Sequence, residues 1–239
     1  MDIIVKQGNK LYEGKAKIVY ATDDPDLLIQ HFKDSATAFD GQKKGEIRDK
    51  GIANAAISSK LFKVLEDAGV KTHFKGMLND RDMVIDNLKM AMVEAVARNT
   101  AAGSIAKRLG YEEGRRLKKP VVEFYYKRDD LGDPLLTCQH VLELGLVTEE
   151  QFKGIRDLTF KITGLLTEFF ANKGLDLIDI KMEFGLDKNG DIILADEISP
   201  DTCRFWDSKT KEKLDKDRFR RDLGGVEEAY AEILKRVTG

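Results

Sequence analysis

The sequence predicts an α+β fold with a small antiparallel sheet lobe at the N-terminal end, a larger α+β lobe after it and an active-site cleft between them. Three observations carry this. KLYEG, AKIVYAT and DLLIQHFK are short runs rich in β-branched and aromatic residues, broken by Gly14 and the DDPD turn, the pattern of an antiparallel meander. One helix interrupts the strands of the first part, and further long helical stretches enter past residue 100. No internal repeat or linker-like tract divides the chain, so the boundary is set where the pattern changes, giving lobes over 1–88 and 89–239.

After the three-stranded start, a helix is expected from about Glu46 to Ala68, where Ile57, Leu61 and Leu65 recur every four residues and Gly69 supplies a stop. THFKGML, DMVIDN and MAMVEAVARN then read as strands, and Ala101-Ala102-Gly103-Ser104 opens a helix. Thr148 and Gln151 form a capping box for a long helix whose stripe is Phe152, Ile155, Leu158, Ile162, Leu165 and Phe169, ending at Gly174. It should lie on a sheet of PVVEFYYK, DLIDIKMEFGL and DIILADE. A last helix, GGVEEAYAEILKRV, turns Val226, Tyr230, Ile233 and Val237 inward.

The chain has 239 residues, 42% hydrophobic and 34% charged, which fits a globular core. Forty Lys and Arg against 42 Asp and Glu leave a net charge of −2, with no global field for nucleic acid or an anionic membrane. Neither partner is expected. The start MDIIVKQGNK lacks the apolar segment of a signal peptide and no run of 18 apolar residues follows, so a cytoplasmic location is expected. Cys138 and Cys203 form no C-x-x-C and read as buried thiols; His31, His73 and His140 are isolated and read as structural.

The sharpest local inference comes from IDIKMEFGLDKNGDIILADEIS. If Asn189-Gly190 is a two-residue hairpin turn, Lys188 faces Asp191 and Glu183 falls directly opposite Asp196. Asp179, Lys181 and Glu183 then share one face of the first strand. Two carboxylates opposed at about 5 Å repel unless a cation lies between them, and hard oxygen ligands suit Mg²⁺. The plainer alternative is a solvated acidic face.

Three further stretches invite a phosphorylated ligand. In RNTAAGSIAKRLG, small residues at a helix start expose backbone N–H groups, Ser104 adds a hydroxyl and Arg98 can chelate two oxygens, although a Ser cap beside surface bases would look the same. In YEGKAKIVYAT a Gly turn carries Lys15 and Lys17 between two strands and could cover nucleotide phosphates, without a P-loop or dinucleotide fingerprint. In SPDTCRFWDSKT and LDKDRFRRDLGG, Asp201, Arg204, Lys216, Arg218 and Arg220 surround the one tryptophan and could receive an anion or form a surface ion-pair network.

Taken in order, LYEGKAK, FKDSATAFDG, EIRDKG, VEAVARNTAAGS, DPLL, DIKMEFG, ADEISPDTCRFWD and DKDRFR resemble the phosphoribosylaminoimidazole-succinocarboxamide synthase (SAICAR synthetase) family over nearly the whole chain. One departure is that Met92 stands where the family's P-x-E-x-x-x-R-N stretch carries Pro. The resemblance implies an ATP-grasp-like fold, a homodimer and the reaction ATP + CAIR + L-aspartate → ADP + phosphate + SAICAR. It implies ATP contacts for Lys15, Lys17, Lys89 and Met90, and Mg²⁺ with the nucleotide on Glu183 and Asp196. A further Mg²⁺ near the CAIR carboxylate is implied at Glu46 and Asp133, a ribose-phosphate site at Arg98, Ser104 and Arg220, and a substrate wall at Asp179, Lys181, Asp201 and Arg204, with Asp179 and Lys181 as the catalytic pair.

Those residue types suit such chemistry. A carboxylate is a poor electrophile until ATP converts it to an acyl phosphate, and the anionic groups brought together need local cations. On the residues alone, a small-molecule kinase would also use a Gly hairpin, a lysine and paired acids, and a nucleotide- or RNA-binding module would use the basic clusters.

Overall fold

The protein is described here over residues 4–38 and 42–239 of a computed structural model. The chain runs β1 (Gln7–Glu13), β2 (Lys17–Thr22), β3 (Leu27–Phe32), β4 (Ser35–Ala38), β5 (Lys43–Glu46), α1 (Lys50–Asp67), β6 (Phe74–Met77) and β7 (Asp82–Asp86). It continues with β8 (Lys89–Thr100), α2 (Ser104–Leu109), β9 (Arg116–Tyr126), β10 (Leu135–Leu136), α3 (Cys138–Glu143) and α4 (Glu149–Ala171). The last part is β11 (Leu175–Leu186), β12 (Ile192–Ala195), β13 (Cys203–Asp207), α5 (Asp217–Arg220) and α6 (Val226–Thr238).

The first five-stranded sheet has the order β1-β2-β3-β7-β6, with every neighbouring pair antiparallel. The expected meander supplies β1 to β3, and the β6–β7 hairpin adds onto β3. Gln30 and Ile29 are buried in β3, and α1 covers this sheet with Ile57, Leu61, Phe62 and Leu65. The helix starts at Lys50 rather than Glu46, because Glu46 pairs with Ser35 in the β4–β5 ribbon and Asp49 adopts a left-handed φ of 58° that interrupts the chain before the helix. The FDG of FKDSATAFDG lies outside the described residues.

The second sheet has the order β10-β9-β8-β11-β12, with β13 on the other end of β11. The Thr148–Gln151 capping box of α4 forms as expected, each side chain bonding the other's backbone N–H. Its buried stripe is Phe152, Ile155, Ile162, Leu166 and Phe170, with Leu158, Leu165 and Phe169 half-buried at its flank. The stripe is thus rotated by a residue in its second half, where Thr159 and Thr163 turn inward by bonding the carbonyls four residues back.

One hydrophobic core runs through both sheets, from Phe32, Phe62 and Met83 to Met182, Phe184 and Leu194. Backbone bonds join the sheets as well: His73 N–H donates to the Leu194 carbonyl at 2.9 Å and Leu194 N–H to the Lys71 carbonyl at 3.1 Å. His73 is buried here and its Nε2 has no partner. Burial, against the pull of the Asp196 charge, holds its imidazole down at about 3. The folded protein keeps His73 neutral while the unfolded chain takes up a proton near 6.5, so this stability is full above that value and falls as pH drops towards 3, by about 1.4 kcal/mol per pH unit. Thermal melts at pH 5 should therefore lie roughly 4–8 °C below those at pH 7, and His73→Phe should shrink the gap. Equal melting temperatures in the parent would contradict a neutral buried imidazole.

The β11–β12 hairpin differs from expectation by one residue. Glu183 pairs with Ala195, not Asp196, because the loop has three residues, Lys188-Asn189-Gly190, closed by Asp187 N–H on the Asp191 carbonyl at 3.1 Å. A two-residue type I′ turn needs positive φ at both central positions, but here only Gly190 has it, at 83°. Asp187 decides the outcome: its Oδ1 accepts from the N–H groups of Asn189 and Asp191 at 2.8 and 2.9 Å, which favours a right-handed turn closed by a left-handed glycine.

Candidate active site

Alternation along three neighbouring strands separates an apolar face from a charged one. Val93, Ala95 and Ala97 of β8, Phe124 of β9, and Ile180, Met182 and Phe184 of β11 point into the core. The intervening residues therefore share the other face: Glu94 and Arg98, Glu123 and Tyr125, and Asp179, Lys181 and Glu183. Asp179 lies opposite Arg98, and Glu183 lies opposite Glu94. The forced opposition of carboxylates is real, but the partner is Glu94.

Asp196 still reaches Glu183. It follows the end of β12 with a left-handed φ of 65°, and Gln30 donates to its carbonyl at 3.2 Å. Lys181 joins the carboxylates, with Nζ 3.0 Å from Glu94, 2.5 Å from Glu183 and 3.8 Å from Asp196. Lys17 bonds Asp196 and lies 3.0 Å from Glu197, and Lys127 bonds Glu183. Glu183 is only 3% exposed, so a solvated acidic hairpin is excluded. Burial pulls the Lys17 and Lys181 values down, but the surrounding carboxylates outweigh it and hold both well above the usual lysine value. The same contacts, against burial, hold Asp196 far below the usual carboxylate range. Glu94 is pushed up by burial and by Glu183, against Lys181.

At the other end of the same face lies an arginine cluster. Arg98 and Arg204 both donate to Asp179 Oδ2, at 2.9 and 2.8 Å. Arg204 Nε also bonds Asp217 at 3.0 Å, and Arg220 bonds the other oxygen of Asp217 at 2.6 Å. Despite burial, these two guanidiniums hold the Asp217 carboxyl at about 2. Arg98 further donates to Glu123 at 2.6 Å, Ser104 Oγ at 3.0 Å and Tyr125 at 3.2 Å. Gly103, at φ 58°, lies under Arg204, where a Cβ would come within 2.7 Å of its NH2. Ser104 is therefore no cap: Gly103 holds the N-cap position and the Ser104 hydroxyl faces Arg98.

With this geometry in view, comparison with known proteins is decisive. The SAICAR synthetase family model matches residues 10–237. The chain belongs to the SAICAR synthetase family. A phosphoribosylaminoimidazole-succinocarboxamide synthase of Clostridium beijerinckii is 58% identical over 228 residues, covering 95% of this chain and 97% of that protein. The crystal structure of the synthase from Ehrlichia chaffeensis superposes with a TM-score of 0.95 at 46% identity, covering 96% of this chain and 98% of the other. A SAICAR synthetase (Type-2) solved in complex with ADP gives 0.93 at 51% identity, covering 95% and 97%.

The other positions that resemble SAICAR synthetase sites fall in three places. Lys15 lies 3.0 Å from Asp129, and Asp133, at φ 46°, accepts from Arg128 N–H in the same loop. Ser35 Oγ bonds the Lys15 carbonyl and Ser35 pairs with the exposed Glu46, so Glu46, Lys15 and the Asp129–Asp133 loop follow one rim. Lys89 and Met90 are exposed at the start of β8, opposite Leu186 and Gly185. Between Glu94 and Met90, β8 carries extra residues against β11, and Met92 sits in this bulge, a position where proline is accommodated.

The Asp201 carboxylate is enclosed, bonded to Lys50 at 2.7 Å and the Tyr230 hydroxyl at 2.6 Å, with Lys216 at 3.6 Å, which ties its loop to α1 and α6. Sequence reasoning missed Glu94, Lys127, Glu123 and Asp217. Glu94 and Glu123 were legible as alternating charges in VEAVARN and VVEFYYK; Lys127 and Asp217 carried no local signal. Among the described residues no group of three or more His, Cys, Asp or Glu is arranged to hold a metal ion. Glu183 and Asp196 nonetheless fit Mg²⁺, which takes one or two carboxylates together with substrate phosphates, since three ammonium groups now offset their charge.

Proposed function

We propose that the chain is an ADP-forming ligase that joins L-aspartate to the carboxylate of CAIR, giving SAICAR, ADP and phosphate in purine biosynthesis. One observation carries the reading: Asp179, Lys181 and Glu183 on a single strand connect the arginine cluster to the lysine–carboxylate cluster. The strand spans about 7 Å per two residues, so an anion at the arginines and a nucleotide at the lysines would meet over Lys181. A kinase acting on an alcohol is disfavoured by the family match.

In this reading Lys17 and Lys15 hold the ATP phosphates, with adenine beside Lys89 and Met90. Glu183 and Asp196 would hold Mg²⁺, which would neutralise the phosphate oxygens. Glu46 and Asp133 would hold a second Mg²⁺, which would offset the charge of the CAIR carboxylate. Ser104, Arg204 and Arg220 receive the ribose phosphate in a pocket framed by Arg98. Lys181 stabilises the anionic charge as the carboxylate of CAIR takes the phosphoryl group, and Asp179 fixes Arg98 and Arg204 around it. The aspartate amine then attacks and phosphate leaves. No described side chain is needed as a covalent nucleophile; positioning does the catalysis. The lobes 1–88 and 89–239, the ATP-grasp-like arrangement, the homodimer and the cytoplasmic setting belong to the same proposal.

A coupled ADP-release assay tests it. Release should need ATP, CAIR, aspartate and Mg²⁺ together, and undiminished release without aspartate would defeat the ligase reading. Lys17→Met should raise KM for ATP about 10- to 150-fold, the range for a lost bond to a charged group, and Lys15→Met by less, because Lys17 is the more buried of the two. A rise in the CAIR value with no change for ATP would misplace the β1–β2 turn.

A further inference from the structure

The arginines of the anion pocket differ in how many donors remain open. Each guanidinium has five N–H groups. Arg98 commits four, to Glu123, Asp179, Ser104 and Tyr125, and its side chain is 5% exposed. Arg108, one turn after Ser104 on α2, commits two. Its Nη2 bonds Glu123 Oε1 and its Nη1 bonds the Tyr125 hydroxyl at 3.1 Å, leaving three donors on a side chain 35% exposed. The Tyr125 hydroxyl accepts from both arginines and donates to Glu123 Oε2 at 2.9 Å, so its bonding capacity is filled. Ser104, Arg98, Tyr125 and Arg108 thus form one hydrogen-bonded chain. Across the whole cluster four guanidiniums, Arg98, Arg108, Arg204 and Arg220, face three carboxylates, Glu123, Asp179 and Asp217, and the excess positive charge suits an added anion.

We propose that Arg108 is a phosphate-contacting residue of this pocket, and that Glu123 and Tyr125 are positioning residues that hold Arg98 and Arg108 side by side. Arg98, with four of its five donors taken by protein partners, sets the shape of the pocket; Arg108 brings three open donors to its mouth. This rests on the reading of the cluster as the ribotide phosphate site.

The test is steady-state kinetics on the full chain with CAIR, ATP and aspartate varied in turn, beside melting temperatures. Arg108→Met should raise KM for CAIR at least tenfold, Arg108→Lys should recover only part of the loss, and the ATP and aspartate values should stay within twofold. Glu123→Gln separates positioning from simple charge. Removing a negative charge beside an anion site should lower the CAIR value if charge alone matters, whereas loss of positioning should raise it threefold or more. Tyr125→Phe should raise it modestly. A CAIR value within twofold of the parent in Arg108→Met, with Ser104→Ala and Arg204→Lys still raising it, overturns the role of Arg108 and leaves the pocket standing. No CAIR effect in any of these variants overturns the pocket itself.

Discussion

Glu183→Gln should lower kcat/KM for ATP by about 10²- to 10³-fold, the range seen when one preorganised electrostatic group is removed from a site. The substitution keeps the shape of the side chain and deletes one negative charge from the group Glu94, Glu183 and Asp196. Because Glu94 lies directly opposite Glu183 and Lys181 touches both, the loss also relieves repulsion. The same change takes a partner from Lys181 and Lys127, so stability should also fall while Mg²⁺ dependence weakens. Asp196→Asn is the cleaner second variant, since asparagine accepts the left-handed φ of 65° that Asp196 adopts and alanine would not. Turnover and Mg²⁺ dependence unchanged in both would remove the metal role.

The second large effect is on stability. Arg98→Met takes a nearly fully buried guanidinium from Asp179 and Glu123. Breaking a buried ion pair from one side costs about 3–5 kcal/mol, which for a chain of this size lowers the melting temperature by roughly 6–20 °C. Arg98→Lys should rescue little, because an ammonium cannot bond Glu123, Asp179, Ser104 and Tyr125 from a planar fork. CAIR use should fall together with stability. A melting temperature within a degree or two of the parent, with only the CAIR KM raised, would show that Arg98 is a free ligand rather than part of the frame.

Elements with strong periodicity were legible from the sequence: the β1–β3 runs, α4 with its capping box, and β11 with alternating charges. What escaped depended on groups distant in the chain or on backbone chirality. The hairpin register turned on the Asp187 side chain, so Asn189-Gly190 suggested the wrong turn. Glu183 was expected opposite Asp196 from the hairpin register; it pairs instead with Ala195 there and with Glu94 on β8, a neighbour that no short motif reveals. The resemblance placed Asp201 on the substrate wall, and no local motif revealed its partners Lys50 and Tyr230, which lie on helices elsewhere in the chain. The short β4, β5, β10 and β13 lacked any period long enough to detect.

The pairing of β8 with β11 also bears on how the molecule is made. Glu94 and Glu183 stand about ninety positions apart, and closing so long a loop is entropically slow. During synthesis Lys181 cannot meet Glu94 until β11 has emerged, so the chemistry of the charged face is absent from every earlier nascent chain. The apolar face of the same strands, with Ala95, Ala97, Met182 and Phe184, supplies the force that closes the loop, and it imposes the alignment that brings the carboxylates together. Like charges are thus driven into register by their oily neighbours, and assembly tolerates a repulsion that the working site then uses.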